Sequence, residues 1–333
     1  MRSEPAEIAF REVVKRYPGR DHAAVHDLSF TVPPGEICVL IGPSGCGKTT
    51  ALKMVNRLIS ISDGDITIDG RSVRELELTQ LRRQIGYVFQ QIGLFPHMSI
   101  EANIGSVPRL LGWSKSRIRE RAAELLELVG LDPSGDLRRY PGEFSGGQQQ
   151  RIGVARAMAA DPPIMLMDEP FGAIDPIARE RLQNDFLRLH RQVRKTVIFV
   201  THDIDEALKM GDRIAIMRDG HLVQLAGADE LLASPADEFV ASFVGEDRGL
   251  KRLRVRTLDD LELEPPSGDR SPDRPTVAAG TSLHFALSKM LAEGTRRIDV
   301  VGGSGEAVGS VALEAITRLI APTDRTQAAA KDS

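Results

Sequence analysis

Along roughly the first 245 residues, short continuous apolar runs alternate with stretches whose apolar positions recur every three or four residues. Alternation of strand and helix periods predicts an α/β layer architecture. Three runs, Glu36 to Ile41, Pro163 to Met167 and Thr196 to Val200, have no polar alternation, so each predicts a strand buried on both faces of a parallel sheet. The first ends in a glycine-rich turn and the other two at polar or charged residues. Polar groups delivered at the carboxyl ends of buried strands are how an open α/β sheet builds a ligand crevice. From about residue 91 to 160 the pattern is helical, with Ile118, Ala122, Leu125, Leu126 and Val129 on one face.

The pattern changes after Gly245. Residues 246–275 hold a basic run and then four prolines among alternating charges, which predicts a linker. Order resumes at Thr276 with a short strand. Thr281 and Ser282 can cap a helix with apolar positions 283, 287, 290 and 291. Strands are predicted at Ile298 to Val301 and Ala307 to Val311, then a closing helix from Leu313 to Ile320, and residues 322–333 read as a flexible tail. A module of this size is marginal if folded alone. No internal repeat is visible.

Composition narrows the function classes. The 333 residues are 41% apolar and 27% charged, with mean hydropathy −0.17, which fits a globular chain with a sizeable core. No uncharged apolar stretch reaches the ~20 residues that span a bilayer. The first ten residues lack a basic segment followed by an apolar one, which argues against a secretory signal. Cys38 and Cys46 cannot build a disulfide framework, consistent with a reducing compartment. A net charge of −4 gives no nucleic-acid footprint.

The chemistry starts after the first buried run. Gly42, Pro43, Ser44, Gly45, Cys46, Gly47, Lys48 and Thr49 match G-x-x-x-x-G-K-[ST] between a predicted strand and a predicted helix, with Thr50 following. Glycines let backbone N–H groups turn inward as an anion nest, and the helix start adds positive potential. Lys48 supplies a point charge for β and γ phosphates, and the Thr49 hydroxyl ligates Mg2+. Asp168, at the end of the second run, is the acid expected to hold that Mg2+, and Glu169 is placed as the base that activates water. Cys46 reads as a small filler in the loop; its thiol is expected near the phosphates, so its alkylation should block ATP.

Phe144, Ser145, Gly146, Gly147 and Gln148, followed by Gln149, Gln150 and Arg151, decide among the P-loop classes. They resemble the LSGGQ signature of the ABC ATPase family, with Phe in the first place. Other motifs stand in the family's order. Tyr17 matches the aromatic that stacks on adenine, Gln90 the Q-loop glutamine, Ala173-Ile174-Asp175 the D-loop and His202 the switch histidine. The resemblance covers about residues 7 to 245. It implies an ABC-type nucleotide-binding domain with a RecA-like core, an antiparallel β subdomain and an α-helical subdomain. Lys48, Gln90, Glu169 and His202 would act in catalysis, and Thr49, Gln90 and Asp168 at the metal. Ser145 to Gln148 and Asp175 would complete the nucleotide site across a head-to-tail homodimer with two ATP molecules.

Exporters usually carry membrane helices in the same chain. DNA-repair and chromosome-structural relatives insert coiled coils or zinc modules between P-loop and signature, and neither appears here. An importer ATPase with separate permease subunits remains, peripheral on the cytoplasmic face of the inner membrane and served indirectly by a substrate-binding protein. The segments Arg82 to His97, Lys53 to Arg57, Arg139 to Pro141 and Thr201 to Ala207 resemble ATP-binding subunits of osmoprotectant importers, which move glycine betaine, choline, carnitine or related quaternary ammonium solutes. An amino acid or polyamine is the alternative cargo. Ile92 to Phe95 follows the Q-loop, where such subunits receive the permease's coupling helix; packing on its own subdomain is the other reading. Val277, the helix from Leu283, Val300-Val301-Gly302-Gly303 and Val308 to Val311 resemble a single CBS motif, either regulatory or an inert dimer-packing module, with residues 246–265 readable as a worn remnant of a second. Ala312 and Ala315 stand where nucleotide-binding CBS motifs commonly have Thr and Asp, which speaks against an adenosine ligand. Lys251, Arg252, Arg254 and Arg256 would suit an anionic membrane surface or an ordinary solvated face.

Overall fold

A computed structural model describes residues 3–19, 22–90, 93–172, 174–265 and 274–320. The chain divides into two compact units, the first ending at Leu225 and the second starting at Ala226. The first unit opens with β1 (Ile8–Lys15), β2 (Val25–Val32), β3 (Ile37–Ile41) and α1 (Lys48–Val55). β4 (Asp63–Ile68), β5 (Arg71–Ser72), α2 (Leu78–Arg83) and β6 (Ile85–Val88) follow. A helical stretch holds α3 (Ile100–Ile104), α4 (Ser106–Leu110), α5 (Lys115–Leu128), α6 (Pro133–Asp136) and α7 (Gly146–Met158). The unit closes with β7 (Ile164–Asp168), α8 (Pro176–Val193), β8 (Thr196–Val200), α9 (Ile204–Met210), β9 (Arg213–Arg218) and β10 (His221–Ala226).

The three apolar runs become β3, β7 and β8, and every residue in them is buried. They lie side by side in a six-stranded sheet of order β10-β9-β3-β8-β7-β6, with parallel pairing from β9 through to β6. Residues such as Val39, Leu40, Ile198 and Phe199 are fully sequestered, each worth about 1.5–3 kcal/mol of burial. A second sheet, β2-β1-β4-β5, is antiparallel and contributes Ile8, Phe10, Leu28 and Ile66 to the same core as β3 and α1. α5 buries Ile118, Ala122, Leu125 and Leu126, the face its periodicity marked. The expected α/β sheet, antiparallel sheet and helical segment are all present.

The second unit contains α10 (Ala228–Ala233), α11 (Glu238–Val244), α12 (Arg248–Val255), β11 (Thr276–Ala278), α13 (Leu283–Ala292), β12 (Arg297–Val301), β13 (Ala307–Ala312) and α14 (Leu313–Thr317). β12 pairs parallel with β11 and antiparallel with β13. Two sequence expectations are corrected here. The division falls at 225/226 instead of 245, and residues 246–265 are not a linker. Leu253 of α12 and Leu258 are fully buried with Val277, Leu283, Met290, Ile298 and Val300 in one core. Leu258 N donates to Thr281 O at 2.9 Å, and Glu264 and Ser310 exchange backbone hydrogen bonds of 2.9 Å. Residues 266–273 and the tail from 321 lie outside the described residues.

The basic run is also largely neutralised within the unit. Lys251 pairs with Asp247 at 2.9 Å, Arg252 with Asp229 at 2.6 Å, and Arg256 with Asp260 at 3.9 Å. That pairing fits a folded helix surface and leaves little free charge for a lipid headgroup. Leu253→Ala should therefore destabilise the second unit by about 2–5 kcal/mol, the cost of a large-to-small core substitution. Limited proteolysis with intact-mass analysis would show faster cleavage after residue 226 in the variant; an unchanged pattern would restore the linker reading.

Candidate functional site

The loop after β3 lies flat against neighbouring backbone. Gly42, Gly45 and Gly47 have φ of 152°, 83° and 105°. A Cβ on Gly42 would stand 2.1 Å from Met217 O, and one on Gly47 would stand 2.5 Å from Ala24 O. Only glycine fits either place. Pro43, Ser44 and Gly45 form an exposed tip, and α1 begins at Lys48. The Lys48 ammonium is folded over the loop, donating to Gly42 O at 2.7 Å and Pro43 O at 3.0 Å. Thr49, in the first turn of α1, donates its hydroxyl to Asp168 Oδ1 at 3.0 Å, and Thr50 follows it.

Parallel pairing sets the carboxyl ends of β3, β7 and β8 beside one another, which places Asp168, Glu169 and His202 at one edge. Asp168 is 5% exposed, and burial is the main reason its carboxyl is pushed above the usual range. The Thr49 hydrogen bond and the Lys53 charge oppose that shift. Glu169 has φ 45°, with its N–H held by Val200 O at 2.9 Å. Its Oε2 accepts from Gln90 Nε2 at 3.0 Å and lies 3.3 Å from His202 Nδ1. The His202 side chain remains 63% exposed. Lys48, Thr49, Asp168, Glu169, Gln90 and His202 are thus gathered at one sheet edge.

The signature residues form a separate group at the start of α7. Ser145 is the N-cap, its Oγ accepting from Gln148 N at 3.4 Å while Gln148 Oε1 accepts from Ser145 N at 3.0 Å. A Cβ on Gly146 would meet nothing within 4 Å, and one on Gly147 would touch only Leu182 Cδ1 at 3.8 Å. Asp175 caps α8 by accepting from Ala178 N at 3.0 Å. Tyr17 is half-buried, with Lys15 Nζ 5.0 Å from its ring centroid. Ala173 of the expected D-loop and Ile92 of the expected permease-docking stretch lie outside the described residues. Phe95 is exposed beside a cavity of about 700 Å3 that Gln90, Phe89, Arg83, Arg156 and Lys53 also line.

Two neighbours of Asp168 escape sequence reasoning. Lys53 Nζ is 3.9 Å from its Oδ2, and the Tyr87 hydroxyl is 3.5 Å from the same oxygen. Lys53 sits four residues past Thr49 on one helix face, a spacing that could have revealed it. Tyr87 reaches the site only through the β6–β7 register, so no local signal announces it. Burial and the Asp168 charge push its phenol up.

The ABC transporter family model matches residues 25–172. The osmoprotectant import ATP-binding protein OsmV of Salmonella typhimurium is 55% identical over 88% of this chain and 75% of its own. The glycine betaine/carnitine/choline transport ATP-binding protein OpuCA of Bacillus subtilis is 48% identical over 93% of this chain and 79% of its own. The glycine betaine uptake system ATP-binding protein YehX of Escherichia coli is 43% identical over 91% and 97%. Among solved structures, a dimeric post-hydrolysis state of the ATP-binding cassette MJ0796 bound to ADP and Pi aligns with TM-score 0.59 at 32% identity, covering 66% of this chain and 98% of that one. No described helix is long and apolar enough to cross a membrane.

The position of Cys46 fits a small filler of the loop and argues against ready alkylation. Its side chain is 4% exposed, tucked beneath the loop with Sγ 3.7 Å from Lys48 Nζ, and burial raises its thiol pKa. Cys38 is fully buried and pushed up to about 12. Reactivity needs an accessible thiolate. Iodoacetamide at pH 7.5 should accordingly leave both thiols unmodified over minutes in the native chain and label both in urea. Rapid native labelling of Cys46, read by peptide mass, would contradict this placement.

Proposed function

The chain belongs to the ABC transporter ATP-binding family, and we propose that it is the ATP-hydrolysing subunit of an importer for quaternary ammonium osmoprotectants such as glycine betaine, choline or carnitine. One observation carries the hydrolytic part: the Glu169 carboxylate held between Gln90 and His202 at the edge where the P-loop ends. A carboxylate in that setting can accept a proton from water as it attacks the γ-phosphate, an effect worth about 10²–10⁴-fold in rate. His202 orients Glu169 through its Nδ1 contact. Lys48 exchanges its two carbonyl partners for β and γ oxygens, and the amides at the start of α1 hold the remaining charge.

Mg2+ suits the site on donor chemistry. The Thr49 hydroxyl and the Asp168 carboxylate, 3.0 Å apart, are hard oxygen ligands, with the Gln90 side chain as a third. No group of three or more His, Cys, Asp or Glu placed to hold a metal ion by itself occurs among the described residues, so ATP and water would complete the shell. Bound there, Mg2+ neutralises charge developing on the phosphate oxygens.

Gly146 and Gly147 need no glycine for packing within the chain, which supports close approach of something external. A second protomer's nucleotide fits, with Ser145, Gly146, Gly147 and Gln148 capping its γ-phosphate, Asp175 near the joint and Tyr17 stacking on adenine. Two protomers would stand head to tail beneath permease subunits on the cytoplasmic face, with the cavity beside Phe95 taking the permease and a binding protein delivering the solute. For the cargo, the support is the solutes named for relatives at 43–55% identity. The order β11, α13, β12, β13, α14 supports a single CBS-like module after residue 275, regulatory or dimer-stabilising.

Lys48→Ala should abolish ATPase activity and most ATP affinity, as read by fluorescent-nucleotide titration; unchanged binding and turnover would refute the assignment. Glu169→Gln should still bind ATP but turn over about 10²–10⁴-fold slower, accumulating as a dimer on size-exclusion chromatography with ATP. Normal turnover in this variant would remove Glu169 as the base. Cells whose only copy carries Lys48→Ala should lose uptake of radiolabelled glycine betaine or choline at high osmolarity, and wild-type uptake would contradict the cargo.

A further inference from the structure

His202 has a mostly exposed side chain, so contact with Glu169 alone does not fix it; the backbone on either side must. Thr201 N bonds Leu40 O at 3.3 Å, anchoring the near side to β3. On the far side, Asp203 N donates to Thr201 Oγ1 at 3.1 Å, and Asp203 Oδ1 accepts from Asp205 N at 2.9 Å and Glu206 N at 3.3 Å. The first turn of α9 is therefore wound onto the switch segment. Two side chains of α8, one helical turn apart, then grip that turn. Arg179 Nη1 stands 3.8 Å from Asp203 Oδ2 while its Nη2 donates to Ile174 O at 3.0 Å. Gln183 Nε2 donates to Glu206 Oε1 at 2.9 Å, with both residues 6% exposed.

This grip is a poor way to gain stability. A buried amide–carboxyl pair is matched or exceeded by apolar packing of similar volume. Burial pushes the Glu206 carboxyl up against the opposing Thr201 and Gln183 hydrogen bonds. Arg179 Nε is buried with no hydrogen-bond partner among the described residues, while Nη2 is hydrogen-bonded to Ile174 and Nη1 stands at ion-pair distance from Asp203. What the arrangement does supply is a fixed direction. One Arg spans from the backbone just before the α8 cap to the residue after the histidine.

We infer that Arg179 and Gln183 are positioning residues for ATP hydrolysis: as a clamp on Asp203 and Glu206, they hold His202 against Glu169 and tie that contact to the segment entering α8. The inference rests on the role of His202 proposed above. If Ile174 and Asp175 shift, Arg179 is drawn with them and the histidine loses its register, so geometry at the start of α8 controls the hydrolytic contact.

Single-turnover hydrolysis of radiolabelled ATP by excess full-length chain tests this, with ATP affinity and melting temperature measured on each variant. Arg179→Ala and Gln183→Ala should slow hydrolysis about tenfold each, a coupling within the usual range for contacting groups, with ATP affinity within about twofold of wild type. On a His202→Ala background either change should cost less than about twofold, because the residue it positions is gone. Glu206→Gln, whose amide oxygen still accepts from Gln183, should hydrolyse near the wild-type rate, whereas Glu206→Ala should match Gln183→Ala. Losses that multiply on the His202→Ala background, affinity that falls in step with rate, or Glu206→Gln as damaging as Glu206→Ala would each overturn the clamp. A His202→Ala chain at full speed would instead overturn the site reading beneath it. Should an α8 variant lose its cooperative melt, the comparison of Glu206→Gln with Glu206→Ala decides alone.

Discussion

The loop between β3 and α1 has no room for a side chain at Gly42 or Gly47, and the rest of the site depends on that. The carbonyls of Met217 and Ala24 press on those two positions. A turn this tight is what brings the first amides of α1 to the sheet edge, and it lets Lys48 fold back over its own loop. β9 must therefore run beside β3, since Met217 is the wall on which the loop lies. Through that wall the nucleotide loop, the sheet order and the β9–β10 hairpin share one geometry. Gly220 N even donates to Cys46 O at 3.1 Å, closing the hairpin onto the loop.

Beyond the loop, the site is assembled by parallel strand pairing. β7 delivers Asp168 and Glu169, β8 delivers His202, and β6 leads to Gln90, each from the end of a strand whose body is buried. A buried strand cannot hold a carboxylate in its middle without a partner, so the acids collect where strands stop. Asp168 is the extreme case. Thr49, Tyr87 and Lys53 surround it, and its carboxyl is still pushed up by burial. A divalent cation beside such a group would relieve that cost, which supports the proposal that Asp168 is the metal ligand.

The first unit was readable because its signals are dense and local. Runs of four or five consecutive apolar residues mark β3, β7 and β8, and the glycine and lysine spacing of the loop has a direct steric meaning. The second unit was misread between 246 and 265 for an equally physical reason. α12 is only eight residues long and buries a single leucine, Leu253, so its apolar face is outweighed by its cations, which look free until Asp229, Asp247 and Asp260 are seen beside them. Cys46 reads from its spacing as a filler of the loop, and the loop does turn it inward beneath Lys48, out of easy reach of an alkylating reagent. Arg179, Gln183 and Glu206 carry no sequence signal that links them. Their meaning comes from two side-chain contacts between α8 and the start of α9, a tertiary fact with no sequence spacing.

The account stands on the steric claim that the phosphates are held by a loop that tolerates no side chain at its first glycine. Calorimetric titration of MgATP into the Gly42→Ala chain, beside wild type and with the melting transition recorded for both, tests it most directly. A cooperative melt with ATP affinity reduced about a hundredfold, near 2.7 kcal/mol, is the expected result. Wild-type affinity in a folded Gly42→Ala chain would contradict it.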